Sequence, residues 1–417
     1  MNKDILNKVI FNHQEIFENK EFGLERDCLK EMLPITKNPI AVVITGHRRV
    51  GKSVFLQQIA KTYFPKDHYY LDFSDPALKN ISEKDYESIY ELFLKNFGKK
   101  NAFFFDEIQG MPEWNKFVNN LRERGHKCFI SGSNAELLSS EISTFLTGRH
   151  IDRSIFPFSF KEFLKYKQID YSVFSTSNTA KILNLFDIYL ENGGFPEIVV
   201  YNQLDLLKEI YNDIITKDVV VRWNIKDVSE IKDLYYYLLS NATQEYTYIS
   251  LKSKTNIKDV KTIKKYVDYI TKTYMLFEVK QFSYSLQKQR KKLKKIYAID
   301  NGLLSNVGYI FSIGKTRYLE NLVFIELKRR EKEVYFYRSL KNQECDFLVV
   351  ENKKVVDAIQ VCYTVNDENK EREVNGLLSA LREHKLKKGT IITYNTKKRE
   401  THDGLVVDYI PAYEWLL

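Results

Sequence analysis

Residues 46 to 53, GHRRVGKS, place two glycines, a lysine and a serine in the spacing G-x-x-x-x-G-K-[ST]. Glycines let backbone N–H groups curl around phosphate oxygens at the start of a helix, and the lysine adds a positive charge beside them. The pattern predicts that this segment binds ATP together with Mg²⁺. The predicted nucleotide-binding residues are Gly46, His47, Arg48, Arg49, Val50, Gly51, Lys52, Ser53 and Val54.

The segments on either side of this loop support that interpretation. The apolar run AVVIT at 41–45 predicts a buried strand, and VFLQQIAKTYF after Ser53 has helical spacing. In this strand, loop and helix we expect Lys52 to reach the β and γ phosphates and Ser53 to ligate magnesium. The alternative is a glycine-rich turn beside a solvated lysine, and the flanking elements disfavour it.

A second chemical pattern is NAFFFDEIQ at 101–109, an apolar run that ends in two acids. A buried parallel strand delivers carboxylates at its carboxyl end in this way. We interpret it as a Walker B element, in which Asp106 holds the magnesium through water and Glu107 orients and deprotonates the attacking water. Taken alone, an Asp-Glu pair after a strand is more often a helix N-terminal cap.

Further strands surround these motifs. HYYLDF at 68–73, a probable helix at 83–97 and KCFISGSN at 127–134 complete a βαβαβαβ order. An extra strand between the two motifs marks the branch of P-loop proteins with a catalytic glutamate, which includes AAA+ ATPases. Ser133 and Asn134 end the strand after Walker B, where that branch places a polar sensor of the γ-phosphate. An ordinary helix cap is an equally good interpretation of the two residues.

Arg149 comes next, in FLTGRHIDRSIFPFSFKEFL, where a β-rich run followed by a helix would complete a five-stranded parallel sheet. An arginine here could meet the γ-phosphate of its own subunit or of a neighbour and stabilise transition-state charge. The alternative is a surface arginine in a charged loop. Residues 166 to about 225 then predict helices interrupted by NGGFP at 192–196, which is either a hinge near ATP or a simple helix connection.

Residues 230–299 predict three helices followed by two strands, the order of a winged helix-turn-helix. Fourteen Lys or Arg and three Asp or Glu lie between 251 and 299, so the basic surplus of the chain is concentrated here. We expect this module to contact DNA phosphates. Lysine outnumbers arginine, which favours phosphate contacts over base recognition. The predicted DNA-binding residues are Lys261, Lys264, Lys265, Lys288, Arg290, Lys291, Lys292, Lys294 and Lys295.

From Tyr318 the pattern predicts the αβββαβ order of the restriction-endonuclease-like fold. Nucleases of this fold hold a divalent metal with a helical acid, a strand Asp and a later E-x-K. Glu320 and Asp346 match the first two positions, whereas Gln360 and Cys362 replace the glutamate and the lysine. Neither replacement supplies the required charge, so we expect a degenerate site without cleavage. The alternative is activity that recruits a lysine from elsewhere, for example Lys370.

Composition sets the remaining limits. A chain of 417 residues suggests about three domains, and 44% hydrophobic content argues against disorder. The four cysteines are far apart and form no metal or disulfide pattern, so we expect reduced thiols in the cytosol. No signal peptide or long apolar run is visible, which predicts a cytoplasmic protein without membrane contact. The net charge of +9 permits nucleic-acid binding without demonstrating it.

Taken together, GHRRVGKS, FFFDEIQ, SGSNAELLS, LTGR, FPFSFKEFL and ENGGFPE resemble the prokaryotic AAA+ type ATPases with a C-terminal PD-(D/E)xK nuclease-like domain. YAIDNGLL, YLENLVFIEL and CDFLV extend the resemblance over nearly the whole chain. It implies an α/β multidomain protein. The expected domains are a P-loop ATPase core at 1–165, a helical lid at 166–227, a winged helix at 228–300 and a nuclease-like domain at 301–417.

Three functions fit these patterns. The leading one is an ATPase that binds DNA, double-stranded and with low sequence specificity, through the winged helix, beside an inactive nuclease-like domain. The second is an ATP-dependent DNA nuclease. The third is a nucleotide-controlled switch or scaffold that forms a homo-oligomer and binds protein partners through the winged helix.

Overall fold

The computed structural model describes residues 1–132, 149–172, 175–285, 293–308 and 314–417. The described chain forms two compact units, Met1–Ile155 and Phe156–Leu417. The first unit ends before the predicted boundary at 165. The further division of the second unit into lid, winged helix and nuclease-like domain stays a prediction.

The first unit contains a five-stranded sheet in the order β2-β3-β4-β1-β5, and every neighbouring pair of strands is parallel. This confirms the predicted parallel core. Its strands are β1 Ala41–Thr45, β2 His68–Asp72, β3 Ala102–Asp106, β4 Lys127–Gly132 and β5 His150–Ser154. Its described helices are α1 Lys3–Asn19, α2 Leu33–Thr36, α3 Lys52–Tyr63, α4 Tyr86–Phe97 and α5 Trp114–Glu123, with short 3-10 helices at Asp27–Met32, Pro76–Leu78, Glu83–Asp85 and Ile108–Gly110.

Strand β3 lies in the interior of this sheet, and all five of its residues are buried. Phe103 and Phe105 face a core that includes Trp114, whereas Phe104 stacks on Phe129 across the other face at 4.7 Å between ring centroids. A strand that is buried on both faces has a continuous run of apolar residues, and this run is the pattern that predicts β3 correctly. Its carboxyl end therefore delivers Asp106 from a rigid support.

The N-terminal segment is an addition that the sequence did not reveal. Helix α1 contacts β2 and α4. Two buried glutamines of α3 hold the last turn of α1 and the chain that follows it. The amide of Gln57 donates to the carbonyls of Phe17 and Lys20, and that of Gln58 donates to those of Phe22 and Leu24. This segment is thus fixed against the helix that begins at the glycine-rich loop.

The second unit begins with a helical region. Its helices are α6 Phe160–Tyr166, α7 Thr176–Asn192, α8 Pro196–Tyr201, α9 Leu206–Asp213 and the π-helix Ile214–Val221. The predicted turn at 192–196 lies between α7 and α8. There the carboxylate of Asp300 accepts the N–H of Gly194 at 2.6 Å, and a Cβ on Gly193 would lie 1.8 Å from Oδ1 of Asp300. Gly193 is therefore needed for close contact with Asp300, and a Cβ on Gly194 would lie 2.2 Å from the carbonyl oxygen of Phe158.

The middle of this unit has three helices and a three-stranded antiparallel sheet in the order β6-β8-β7. The elements follow one another as α10 Val228–Ser240, β6 Glu245–Tyr246, α11 Tyr248–Lys254, α12 Val260–Lys272, β7 Leu276–Lys280 and β8 Lys294–Ala298. The apolar residues of α12 recur on one face, where Ile263, Val267 and Ile270 are buried, so its lysines lie on the other face.

The end of the chain forms a six-stranded mixed sheet in the order β13-β14-β12-β11-β10-β9. The predicted αβββα succession is present, but the edge strand β13, with the polar sequence KRETH, was not predicted. The elements are α13 Asn301–Asn306, α14 Lys315–Arg329, β9 Glu333–Arg338, β10 Glu344–Glu351, β11 Lys354–Val361, α15 Lys370–His384, β12 Lys388–Thr393, β13 Lys398–His402, β14 Leu405–Pro411 and α16 Ala412–Trp415.

Within the described ranges, no helix is both long enough and apolar enough to cross a membrane. Cys28, Cys128, Cys345 and Cys362 form no disulfide bond with one another.

Candidate functional site

The glycine-rich loop connects β1 to α3 in the conformation that its glycines allow. Gly46 and Gly51 have φ angles of 141° and 93°, which side chains disfavour. A Cβ on Gly46 would lie 2.2 Å from the carbonyl oxygen of Ile155. Helix α3 begins at Lys52, directly after the loop. Its N-terminal N–H groups and positive dipole end therefore face the loop, as an anion site requires.

Lys52 is buried, and its ammonium contacts both the loop and the acid that follows β3. Its Nζ donates to the carbonyl of His47 at 3.0 Å and lies 3.8 Å from Oε1 of Glu107. Burial, opposed by the hydrogen bond to the Arg48 carbonyl and helped by the charges of Lys52 and Arg48, lowers the pKa of His47 to about 3. His47 is therefore neutral at pH 7, and its Nδ1 donates to the carbonyl of Arg48 at 2.5 Å.

Asp106 is buried at the carboxyl end of β3, within a group of hydroxyl donors. Ser131 Oγ donates to its Oδ1, and the hydroxyl of Tyr70 donates to its Oδ2 at 3.1 Å. Ser53 is also hydrogen-bonded to this carboxylate. Burial and the charge of Glu107 raise the pKa of Asp106, while the bonds from Ser131 and Ser53 lower it. The structure thus brings Ser53 and Asp106, the two predicted magnesium-binding residues, into contact.

Glu107 has a left-handed backbone with φ 45° and ψ 49°. This conformation is rare for a residue other than glycine and marks positions where side-chain direction matters. Its N–H donates to Ser131 Oγ at 3.1 Å, and Gln109 donates to its Oε2. With a side chain 25% exposed, Glu107 can meet a water molecule beside the loop.

Three residues of this site were missed by sequence reasoning. Ser131 links Asp106 to Glu107, Tyr70 contacts Asp106 from β2, and the Nη1 of Arg26 donates to the carbonyl of Val50 at 3.0 Å. Ser131 lies in the SGSN segment, two residues before the predicted sensor. Its position near the carboxyl end of β4, beside the end of β3, was the available signal for it, whereas nothing in the sequence ties Arg26 to the loop.

The structure corrects half of the prediction for Arg149. Its carbonyl accepts the N–H of Ala41 at 3.1 Å, so Arg149 lies beside the first residue of β1, whereas the glycine-rich loop follows the last. Four residues of strand separate the two ends by roughly 13 Å. Contact with a γ-phosphate in its own subunit is therefore wrong, and contact with a neighbouring subunit's nucleotide stays a prediction. Ser133 and Asn134 lie outside the described residues.

A groove of about 730 Å³ lies between α12 and the three-stranded sheet of the second unit. Exposed Lys261, Lys264 and Lys265 line it from one face of α12, at spacings of three and four residues. Lys280 of β7 and Lys294 of β8 line it from the sheet, and the ammonium of Lys294 lies 4.7 Å from the ring centre of Tyr248. Among the lining residues, five lysines accompany only two carboxylates, those of Asp268 and Glu278.

An aromatic pair lies next to this groove. Trp223 stacks on Tyr269 of α12, with ring centroids 4.3 Å apart and an interplanar angle of 6°. The ammonium of Lys265 lies 5.5 Å from the centre of the Tyr269 ring. Tyr269 therefore connects Trp223 with one of the predicted DNA-binding lysines.

Residues 38–164 match a family model described as an AAA domain. Residues 183–314 and 315–415 match models described as domains of unknown function, DUF8612 and DUF4143. An uncharacterized protein of Methanocaldococcus jannaschii is 36% identical over 436 residues, which cover 99% of this chain and 96% of that protein. The chain belongs to the AAA+ ATPase family.

Two further proteins are similar to this AAA+ protein. An uncharacterized protein of Haemophilus influenzae is 29% identical over 409 residues, 93% of this chain and 97% of that protein. Among solved structures, the Aeropyrum pernix ORC1 protein in complex with DNA is 8% identical, with 70% of this chain and 94% of that chain covered and a TM-score of 0.33. The two sequence relatives thus share nearly the full length of the chain.

The four predicted nuclease-like positions of the AAA+ protein lie close together in the second unit. Asp346 of β10 accepts the N–H of Val361 at 2.9 Å, and its own N–H donates to the side chain of Gln360 at 3.2 Å. The amide of Gln360 donates to Glu373 at 2.6 Å. Burial raises the pKa of Cys362 to about 12, so its thiol is neutral.

The prediction that Lys295 contacts DNA is wrong. Sequence reasoning placed it on a basic wing, but it is 3% exposed and its Nζ contacts Glu320, Glu344 and Asp346 at 3.0, 2.6 and 3.2 Å. Successive residues of a strand point to opposite faces, so Lys294 lines the groove and Lys295 does not, although Lys294 is itself only 4% exposed. The other wing residues, Lys288, Arg290, Lys291 and Lys292, lie outside the described residues. Lys370 pairs with Glu400 at 2.9 Å.

For the described part of the chain, no group of three or more His, Cys, Asp or Glu side chains could hold a metal ion. The Ser53–Asp106 pair remains compatible with magnesium, because Mg²⁺ usually keeps several waters and takes one or two protein oxygens beside the nucleotide phosphates.

Proposed function

We propose that this AAA+ protein binds ATP with Mg²⁺ at the β1–α3 loop and hydrolyses it. The observation that carries the proposal is the meeting of Lys52, Ser53, Asp106 and Glu107 at the carboxyl edge of one parallel sheet. Ligands of open α/β sheets bind at this edge. Magnesium, when bound, would neutralise phosphate charge between Ser53 and Asp106.

Each residue has a distinct role in hydrolysis. The loop N–H groups and Lys52 bind the phosphates and stabilise the charge that grows on them in the transition state. Glu107 orients a water molecule and accepts its proton. Ser131 fixes Glu107 relative to Asp106, because its hydroxyl bonds to both residues.

The test is steady-state ATP turnover of Lys52→Ala and Glu107→Gln beside the parent. We expect each variant to lose activity by roughly a hundredfold or more, because the first removes the phosphate cation and the second the base. Glu107→Gln should still bind ATP in equilibrium titration. Glu113→Gln, a neighbouring acid with a 47% exposed side chain, serves as control and should match the parent. Parental turnover in Glu107→Gln, together with parental ATP affinity in Lys52→Ala, would place the site elsewhere.

We further propose that residues 228–300 form a winged helix whose groove binds the DNA backbone with low sequence specificity. The succession α10, β6, α11, α12, β7 and β8 supports the winged-helix assignment. The excess of lysine over carboxylate in the groove supports phosphate as the ligand. Long ammonium side chains attract phosphates as point charges and discriminate bases poorly.

DNA affinity measured as a function of salt tests this groove. The triple variant K261A/K264A/K265A should weaken binding and reduce the slope of log K against log salt by up to about 2.7, at about 0.9 per phosphate contact. K341A/K354A/K387A removes three exposed lysines elsewhere in the same unit and should keep the parental slope. Equal slopes for both triple variants would contradict DNA binding here and favour a protein-binding scaffold.

The C-terminal domain is proposed to keep a nuclease-like fold without cleavage. Gln360 is a neutral ligand engaged with Glu373, and Cys362 is a buried thiol, so the carboxylate and cation of E-x-K are both missing. Supercoiled and single-stranded DNA should stay intact with Mg²⁺ or Mn²⁺, with or without ATP. Cleavage that disappears in Asp346→Ala would instead support an ATP-dependent DNA nuclease.

A further inference from the structure

Lys295 lies where three buried or half-buried carboxylates converge. It projects from β8 of the three-stranded sheet, whereas Glu320 belongs to α14 and Glu344 and Asp346 belong to β10. All three contacts of its Nζ are 3.2 Å or shorter. One lysine thus joins the three-stranded sheet to the C-terminal domain by three charged hydrogen bonds.

Two further donors bond to acids of the cluster. The hydroxyl of Tyr297, two residues further along β8, donates at 2.7 Å to Glu320 Oε1, the oxygen that Lys295 also contacts. The second oxygen of Asp346 accepts the N–H of Val361. Side chains from β8 and a backbone group of β11 therefore share in binding these acids. Such a network is stable only while every member keeps its partner.

The charge of Lys295 is secured by its surroundings. Its Nζ lies within 3.2 Å of an oxygen of each of the three acids, so the cluster is arranged around an ammonium group. Its Nζ occupies the point toward which the two acids of the predicted nuclease pattern are directed.

We propose that Lys295 is a resident cation that takes the place of a divalent metal in this carboxylate cluster and fastens β8 to the C-terminal domain. Because one ammonium bonds to Glu320, Glu344 and Asp346 together, a metal ion has no position among them unless the lysine leaves. Removing the ammonium from the cluster would leave the three acids without their cation and the lysine without its partners, which costs free energy. The cluster is thus a permanent ion-pair hub.

Manganese binding to the full chain tests the first half of the proposal. Free Mn²⁺ is followed by electron paramagnetic resonance without nucleotide, for the parent and for Asp346→Asn. The two titrations should coincide. A manganese site that is present in the parent and lost in Asp346→Asn would overturn the proposal. Crystals of the parent soaked in Mn²⁺ give a second readout that needs no variant: an anomalous peak between Glu320 and Asp346 would overturn it as well.

A double-mutant cycle tests the second half. Lys295→Met should lower the Tm by roughly 10 °C, because it leaves buried carboxylates without their cation. Lys280→Met, at an exposed lysine of β7, should change the Tm by less than about 2 °C. Adding Glu344→Gln to Lys295→Met should recover part of the loss, although Glu344→Gln alone lowers the Tm. Additive effects, or a Lys295→Met variant as stable as Lys280→Met, would refute the ion-pair hub.

Discussion

The hydroxyl of Ser131 connects the two acids of the candidate nucleotide site, Asp106 and Glu107. It donates to Asp106 and accepts the N–H of Glu107 at 3.1 Å. Ser131 thus holds the backbone N–H of the left-handed Glu107, from which the carboxylate extends toward the loop. Groups that orient a reacting residue in this way often affect turnover more than binding.

We predict that Ser131→Ala lowers kcat for ATP hydrolysis by roughly ten- to a hundredfold, the range found for residues that position a reacting group. ATP affinity should change little, because Ser131 lies behind the two acids. Steady-state kinetics and equilibrium ATP titration separate the two quantities. Ser74→Ala removes an exposed hydroxyl near the end of β2 and is the matched control. An unchanged kcat in Ser131→Ala would show that Glu107 keeps its direction by other means.

The residues that sequence reasoning found in the first unit, such as Lys52 and Asp106, belong to a contiguous motif with a fixed spacing. The residues that it missed are distant in the sequence and are brought to the site by folding. Ser131, Tyr70 and Arg26 reach the site from a neighbouring strand and from a distant segment. The prediction for Lys295 was wrong for a related reason. A run of lysines does not show which lysine of a strand faces the interior.

At the scale of elements, strands β12 and β14 are joined by an ion-pair group on one side of the six-stranded sheet. Asp408 of β14 accepts two hydrogen bonds from Arg399 of β13 and lies 2.7 Å from the ammonium of Lys388 on β12. The bonds from Arg399, opposed by burial and helped by Lys388, lower the pKa of Asp408 to about 2. This group connects the edge strand that the sequence did not reveal to the predicted strands.

We predict that Asp408→Asn lowers the free energy of unfolding by about 1 kcal/mol at pH 7. The value is small because Arg399 and Lys388 are exposed, and water screens their attraction to Asp408. The folded pKa lies below the unfolded value near 3.9, so this stabilisation is present above about pH 4 and is lost as pH falls through 2. Urea unfolding of parent and variant between pH 7 and pH 2 measures it, and the two curves should converge at the acid end.

Asp403→Asn is the control, because Asp403 pairs with Arg382 through a side chain that is 83% exposed. Its effect should stay within about 0.5 kcal/mol at every pH. A gap between the parent and Asp408→Asn that persists unchanged at pH 2 would mean that the aspartate acts by shape and not by charge.

Fully buried segments were predictable because burial dictates their composition. Strands β1 and β3 are examples, since both are buried along their whole length and are therefore apolar apart from their last residue. Strand β13 carries the polar sequence KRETH on an edge, where solvent permits almost any residue, so its pairing with β14 leaves little trace in the sequence.

At the scale of the whole molecule, the predicted role of Arg149 would make ATP hydrolysis depend on assembly. Arg149 lies at the amino edge of the sheet, at the opposite end of β1 from the loop. If Arg149 acts on ATP, it would therefore act on the nucleotide of a second copy of the chain. Transition-state arginines supplied by a partner are a recurring device in P-loop enzymes.

We predict that Arg149→Ala and Glu107→Gln are each nearly inactive alone and that mixing them restores ATP turnover. One variant supplies the arginine and the other the glutamate, so up to about a quarter of the interfaces in a random assembly become complete. The ATPase assay of the mixture measures this. The double variant R149A/E107Q mixed with Arg149→Ala supplies no arginine and should stay inactive. Full activity of Arg149→Ala by itself would contradict a role for this residue.

The motifs predicted a P-loop core but not where it ends, and the further division into lid, winged helix and nuclease-like domain stays a prediction. The first unit ends at Ile155, after β5, and helix α6 belongs with the residues that follow. A boundary depends on which contacts a helix makes, and those contacts are not encoded in its own period. The hub at Lys295 likewise joins two regions that the sequence separates at residue 300.

The stacked pair Trp223–Tyr269 gives the groove an optical signal of its own. The chain has three tryptophans: Trp114 is buried in the first unit, Trp415 lies under the guanidinium of Arg330, and Trp223 is one ring away from Lys265. With Trp114 and Trp415 replaced by phenylalanine, the emission spectrum would come from Trp223 alone. A polyanion that draws Lys265 away from Tyr269 would then change the fluorescence directly, so an unlabelled ligand can be titrated by ordinary spectroscopy.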